Sequence, residues 1–142
     1  MPYADVGDIK IHGHADNPAE VQVLTISWVA DASGDAVLNG VAVEGILERL
    51  YTVKTRDRVA LATHSVELFD PLESDVLRGL TTSVRDDVVK TTHIAEQITP
   101  GRSLPVHAVG RHTLRISGAT ASDAGTEKLY VRRPYTFQRW VN

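Results

Sequence analysis

The chain has 142 residues and no cysteine, which excludes disulfide frameworks, thiol nucleophiles and cysteine-bound metal centres. Fifteen Lys and Arg residues against eighteen Asp and Glu residues give a formal net charge of −3, too balanced to favour nucleic acid or anionic lipid as a partner. No apolar run is long enough to span a bilayer, so we expect neither a nucleic-acid nor a membrane partner.

The first twenty residues predict an N-terminal arm. Residues 1–20 contain four acidic residues and one basic residue, with glycines and prolines scattered among them. Such a composition is more typical of an extended segment than of a core element. We therefore place the arm at 1–20 and the start of the folded body at 21.

Short strands are predicted along the first half of the body. Residues 21–29 are rich in β-branched side chains and break off at a Gly-containing turn, which predicts a strand. Residues 45–54 fit a helical face as well as a strand face, and we favour the strand because the neighbouring segments are strands. Residues 64–70 alternate between apolar and polar and stop before Pro71, which cannot donate to a sheet ladder.

The second half of the body predicts one short helix and three further strands. Residues 72–85 place Val76, Leu77 and Leu80 at helical spacing after a possible cap. The last strands are predicted at 106–109, 112–118 and 127–132, and the small residues of 119–125 predict a hairpin-type connection before the final strand.

Together these elements predict a mainly β fold, an antiparallel β-sandwich or partly open barrel with one short helix and extended N- and C-terminal arms. The absence of βαβ alternation in the sequence argues against a parallel sheet. The body is assigned to residues 21–132 and the C-terminal arm to residues 133–142.

The C-terminal arm is unusually rich in aromatic and arginine side chains. These residue types are enriched among the anchors of protein interfaces. We therefore predict an interface made by residues of both arms: Tyr3, Arg133, Tyr135, Phe137, Arg139 and Trp140. The alternative, in which the C-terminal segment folds back and completes the core of its own domain, stays open.

No motif of a nucleophile elbow, a phosphate-binding loop, a dinucleotide site or a zinc protease is present in the sequence. We expect a protein that is not an enzyme and has no catalytic, cofactor-binding or metal site. The acidic residues Asp70, Glu73 and Asp75 fit a calcium site in principle, although turns and helix starts also favour acids. His12 and His14 lie on one side of an extended chain. In a threefold assembly six such imidazoles could surround one ion, a possibility that the sequence leaves open.

Three segments resemble parts of a group of small virion proteins of tailed bacteriophages. Residues 25–35 resemble their opening strand and turn, residues 66–79 are similar to their middle strand, acidic turn and following Asp-Val-Leu segment, and residues 125–132 look like their closing strand. The resemblance covers roughly residues 22 to 132 and leaves both arms outside.

This resemblance implies a non-enzymatic capsid decoration (cement) protein. Such a protein is made in the host cytoplasm and sits on the outer surface of the capsid. Its partners are the major capsid protein and copies of itself, often in a homotrimer, and it requires no cofactor. Two alternatives remain: a tail, baseplate or fibre component of the virion, and a carbohydrate-binding β-sandwich module.

Overall fold

The computed structural model describes residues 7–17, 21–53, 63–85 and 89–132. Within these ranges the chain forms ten strands and no helix. In chain order the strands are β1 (Asp8–Asn17), β2 (Val21–Val29), β3 (Ala36–Val53), β4 (Thr63–Phe69), β5 (Val84–Arg85), β6 (Lys90–His93), β7 (Glu96–Thr99), β8 (Arg102–Leu104), β9 (Val106–Ser117) and β10 (Ala124–Arg132).

One large antiparallel sheet contains eight of these strands. Its order is β1-β2-β10-β3-β9-β4-β5, with β6 paired to β3, while β7 and β8 form a separate two-stranded hairpin. The sheet is not closed into a barrel. The predicted fold class, a mainly β antiparallel fold, is confirmed, and for the segment 45–54 the preference for a strand over a helix is confirmed as far as residue 53, the last described residue there.

Strand β3 joins the two halves of the sheet. It pairs with β9 along residues 36–47 on one edge and with β10 along residues 46–53 on the other. It changes partners beside Gly45, whose φ is 143°. A Cβ at this position would lie 2.4 Å from the carbonyl oxygen of Arg132, so only glycine allows the two strands to approach this closely.

The sheet folds over on itself into two layers. Neighbouring strands are about 4.8 Å apart, so β4 and β10 would be about 14 Å apart in a flat sheet with two strands between them. Nevertheless His64 on β4 lies 2.6 Å from Glu127 on β10. The layer with β9 and β4 therefore packs against the layer with β10, β2 and β1, and the core lies between them.

Residues 72–85, predicted to be a helix, form a series of turns up to residue 83 and then the short strand β5. Glu73, Arg78 and Ser83 have positive φ angles, which an α-helix does not accommodate. The amide of Val76 donates to the carbonyl oxygen of Leu68 on β4. The apolar residues of the segment do have helical spacing, but hydrogen bonds to β4 hold its backbone in turns instead.

The connection before β10, predicted to be of hairpin type, is not a hairpin. Its turn is present, with the amide of Asp123 donating to the carbonyl oxygen of Thr120. However, β9 and β10 are not neighbours, because β3 lies between them in the sheet. Residues 118–123 therefore cross over one strand rather than close a hairpin.

Much of the predicted N-terminal arm belongs to the sheet. Residues 8–17 form β1, which pairs with β2 from Asp8 opposite Val29 onwards. Ile9 is buried in the core, whereas Asp8, Lys10 and His12 are exposed. Asp8 and Lys10, two of the charged residues that indicated an arm, occupy outward positions of an edge strand, a pattern that composition alone does not reveal.

No helix long and apolar enough to cross a membrane is present in the described ranges.

Candidate functional site

All six predicted interface residues lie outside the described residues: Tyr3, Arg133, Tyr135, Phe137, Arg139 and Trp140. The structure does define where the chain enters and leaves the body. Asp8 is opposite Val29 at one end of β2, and Arg132 is opposite Val21 at the other end. At about 3.3 Å per residue, these two ends of β2 are about 26 Å apart, so the terminal segments leave the body at opposite ends.

A buried polar cluster lies between the two layers and consists of Trp28, His64 and Glu127. The indole Nε1 of Trp28 donates a hydrogen bond of 2.5 Å to Oε2 of Glu127. The other carboxylate oxygen, Oε1, lies 2.6 Å from Nε2 of His64. The two rings are tilted against each other with their centroids 4.9 Å apart. Both carboxylate oxygens therefore have partners.

This cluster is closed to solvent. Glu127 is 0% exposed, Trp28 2% and His64 3%. Gly125 provides the space for the indole, since a Cβ there would be 2.4 Å from Cζ2 of Trp28. Groups buried this deeply are not accessible to a substrate. The hydrogen bonds of the cluster instead connect β2, β4 and β10.

This cluster does not follow from the sequence pattern alone, although the pattern contains one signal of it. Glu127, Leu129 and Val131 occupy alternate positions of β10 and are all buried. A carboxylate in phase with core side chains requires buried hydrogen-bond donors. The donors themselves are 63 and 99 residues away in sequence, which is why the pattern does not identify them.

The acidic residues after β4 build turns. Oδ1 of Asp70 accepts hydrogen bonds from the amides of Leu72 and Ser74. The carboxylate of Asp75 accepts from the amides of Leu68, Leu77 and Gly79. Among the described residues no group of three or more His, Asp or Glu side chains is arranged to hold a metal ion. The two aspartates act as local cross-links for residues 70–79.

We predict that Asp75→Asn lowers the free energy of unfolding by about 1–3 kcal/mol, because the amide group cannot accept at both of its ends. Glu73→Gln is the matched control, because it removes the charge of an exposed carboxylate in the same turn. Urea denaturation followed by circular dichroism measures both variants. Equal stabilities would show that the carboxylate of Asp75 has no such role.

β1 is extended through both His12 and His14, as the metal hypothesis requires. The hypothesis also needs a threefold assembly of the chain and stays a prediction.

An apolar cleft opens beside the acidic turns, and we call it the Leu72 cleft. Leu72 is 86% exposed and Val109 is 59% exposed. The cleft has a volume of about 450 Å³ and is lined by Asp70, Pro71, Leu72, Val76, His107, Ala108, Val109 and His112. The backbone that carries Leu72 is held by the hydrogen bonds to Asp70 and by the bond from the Asp70 amide to the carbonyl oxygen of Ser74. Leu72 is therefore displayed on an ordered turn.

Comparison with known proteins found no matching family model, no matching curated protein and no matching solved structure.

Proposed function

We propose that the chain is a structural protein of a tailed-bacteriophage particle, of the capsid decoration type. In this role it binds the lattice of the major capsid protein on the outer surface of the head, stabilises the head and associates with itself as a homotrimer. The resemblance of residues 25–35, 66–79 and 125–132 to small phage virion proteins supports this class of function. Tyr3, Arg133, Tyr135, Phe137, Arg139 and Trp140 are the contacts that we propose for its terminal segments.

The observation that carries the proposal is the ordered display of Leu72 beside Val109. A residue whose backbone is already held by the hydrogen bonds of a turn loses little backbone entropy when it binds. An 86% exposed leucine on such a turn fits an anchor for a protein partner better than a site for a reaction. We assign the Leu72 cleft to contact with the major capsid protein.

The exits of the terminal segments at opposite ends of the body support a role on a lattice. A body with a contact of its own and two separated extensions can engage several neighbours at once. Linked contacts on an ordered lattice bind far more tightly than any one of them alone. A weak apolar contact at the Leu72 cleft is therefore enough for stable attachment to the lattice when the terminal segments bind as well.

We expect the protein to be present on purified particles in a copy number comparable with that of the major capsid protein. Quantitative mass spectrometry of particles from the phage that encodes the chain measures this ratio. When particles lacking the protein are supplied with purified chain, Leu72→Ser should reduce the number of bound copies. The reason is that the variant removes the apolar anchor without changing the hydrogen bonds of the turn.

Leu80→Ser is the matched control, because Leu80 is 42% exposed and belongs to the same run of turns without lining the Leu72 cleft. It should bind as the unchanged protein does. A few copies per particle would reject the decoration role and favour a tail, baseplate or fibre component. Equal binding by the two variants would show that the Leu72 cleft does not contact the major capsid protein.

A further inference from the structure

A cleft opens between β3, β6 and β8, beside the end of β10, and we call it the Arg49 cleft. Its volume is about 410 Å³, a size in which sites for small ligands are commonly found. Its apolar lining includes Ile94 and Leu104, and its polar lining consists of Glu48, Arg49, His93, Ser103 and Arg132. The cleft therefore combines an apolar wall with several polar and charged groups.

One wall of the Arg49 cleft is held in place by β3. His93 on β6 is the Cα partner of Arg49. The amide of Ile94 donates a hydrogen bond of 2.9 Å to the carbonyl oxygen of Glu48, and the side chain of Ile94 is buried in the core. The backbone that carries His93 is thus fixed relative to Arg49.

The charge of the Arg49 cleft is positive. Glu48 is the one acidic residue in the part of the lining that the structure describes, and its Oε2 lies 3.0 Å from Nη2 of Arg132. This ion pair balances the charge of Glu48, so the charge of Arg49 remains uncompensated within the cleft. The Leu72 cleft, in contrast, contains Asp70 and neither Lys nor Arg.

The guanidinium group of Arg49 is oriented by an aromatic ring. Its Cζ lies 4.1 Å from the ring centroid of Tyr130, the Cα partner of Arg49 on β10. Stacking uses the flat face of the guanidinium group and leaves the N–H groups at its rim available. Among the described residues no side-chain or backbone oxygen accepts a hydrogen bond from these groups. Such a fork of N–H donors matches the two oxygens of a carboxylate or a phosphate.

We infer that the Arg49 cleft binds an anionic group, a carboxylate or a phosphate, on a compound that also has an apolar portion. Arg49 supplies the charge and the paired donors, and His93 and Ser103 supply further hydrogen-bonding groups. Leu104, which is 52% exposed, provides apolar surface that the ligand covers. This inference concerns the isolated chain and does not depend on the virion role.

Amide NMR spectra of the isotope-labelled full chain test the inference in two arms, a titration with phenyl phosphate and one with phenylacetate. We expect saturable shifts at residues 48 and 49, 93–95, and 103 and 104 with at least one probe. The probe that binds more tightly identifies the anion. Inorganic phosphate and acetate, which lack the aromatic ring, should bind more weakly than the corresponding aromatic probe. The absence of saturable shifts at these residues with both aromatic probes would reject the site.

Arg49→Met should weaken binding of the tighter probe about tenfold or more, because it removes the charged donors but keeps an unbranched side chain against Tyr130. Arg49→Lys keeps the charge without the planar fork and should retain part of the affinity. The matched control is Arg115→Met, which removes an exposed arginine of β9 outside the cleft and should leave the affinity unchanged. The dispersion of the amide spectrum shows that each variant is folded. If Arg49→Met binds like the unchanged protein, or if Arg115→Met weakens binding as much, the inference is wrong.

Discussion

Replacing Glu127 with alanine is expected to lower the free energy of unfolding by about 3–5 kcal/mol. The carboxylate is 0% exposed and holds both the indole N–H of Trp28 and the ring of His64. Its removal leaves the indole N–H without its acceptor between two apolar layers, and the desolvation of that group is then uncompensated. Glu127→Gln keeps the shape and one acceptor oxygen, so its loss should be smaller, about 1–3 kcal/mol.

Urea denaturation followed by tryptophan fluorescence measures these differences, because Trp28 contacts the mutated side chain. Circular dichroism provides a second probe. Glu44→Ala is the control, since it removes a glutamate from an exposed position of β3 and should change stability by no more than about 0.5 kcal/mol. If Glu127→Ala proved as mild as Glu44→Ala, the cluster would not be the clamp between the layers.

The local pattern of the sequence is enough to predict strands that alternate between buried and exposed residues. β4 follows a strict alternation from His64 to Leu68, and five of the nine residues of β2 are β-branched. These features act within a few residues, where the side-chain period of a strand decides which face is buried. They support the fold class without any knowledge of strand partners.

The errors arose where hydrogen bonds between different elements decide the local structure. Residues 72–85 have helical spacing, yet the carboxylate of Asp75 accepts from the amide of Leu68 on β4 as well as from Leu77 and Gly79. A carboxylate that takes backbone donors from two segments fixes their relative position and replaces helical hydrogen bonds. The strand order has the same origin, since β3 rather than β9 is the neighbour of β10.

The buried polar cluster shows what cannot be predicted from a single sequence. Its signal was a glutamate in phase with Leu129 and Val131, but its partners lie on β2 and β4. Only the folding of the sheet brings those strands together. The same folding explains why β3 changes partners at Gly45, where the chain also leaves the body. The folding of the sheet thus positions both the core and the end of β10 at Arg132.

Replacing Gly34 with alanine is expected to cost about 3 kcal/mol or more, from backbone strain together with a backbone clash. Gly34 has a φ of 82° in the turn between β2 and β3. A Cβ there would be 2.0 Å from the carbonyl oxygen of Ala119. The amide of Ala119 also donates to the carbonyl oxygen of Gly34, so relief of the clash separates the β2–β3 turn from the connection that precedes β10.

Gly118→Ala separates the strain from the clash. Gly118 lies beside Ala119 and also has a positive φ, 69°, but a Cβ there would meet nothing within 4 Å. Its cost should be only that of the left-handed conformation, about 1–2 kcal/mol. Urea midpoints of the two variants, measured at equal protein concentration, give the comparison. Equal losses would mean that the turn moves away from Ala119 without penalty, and the two loops would then not be rigidly connected.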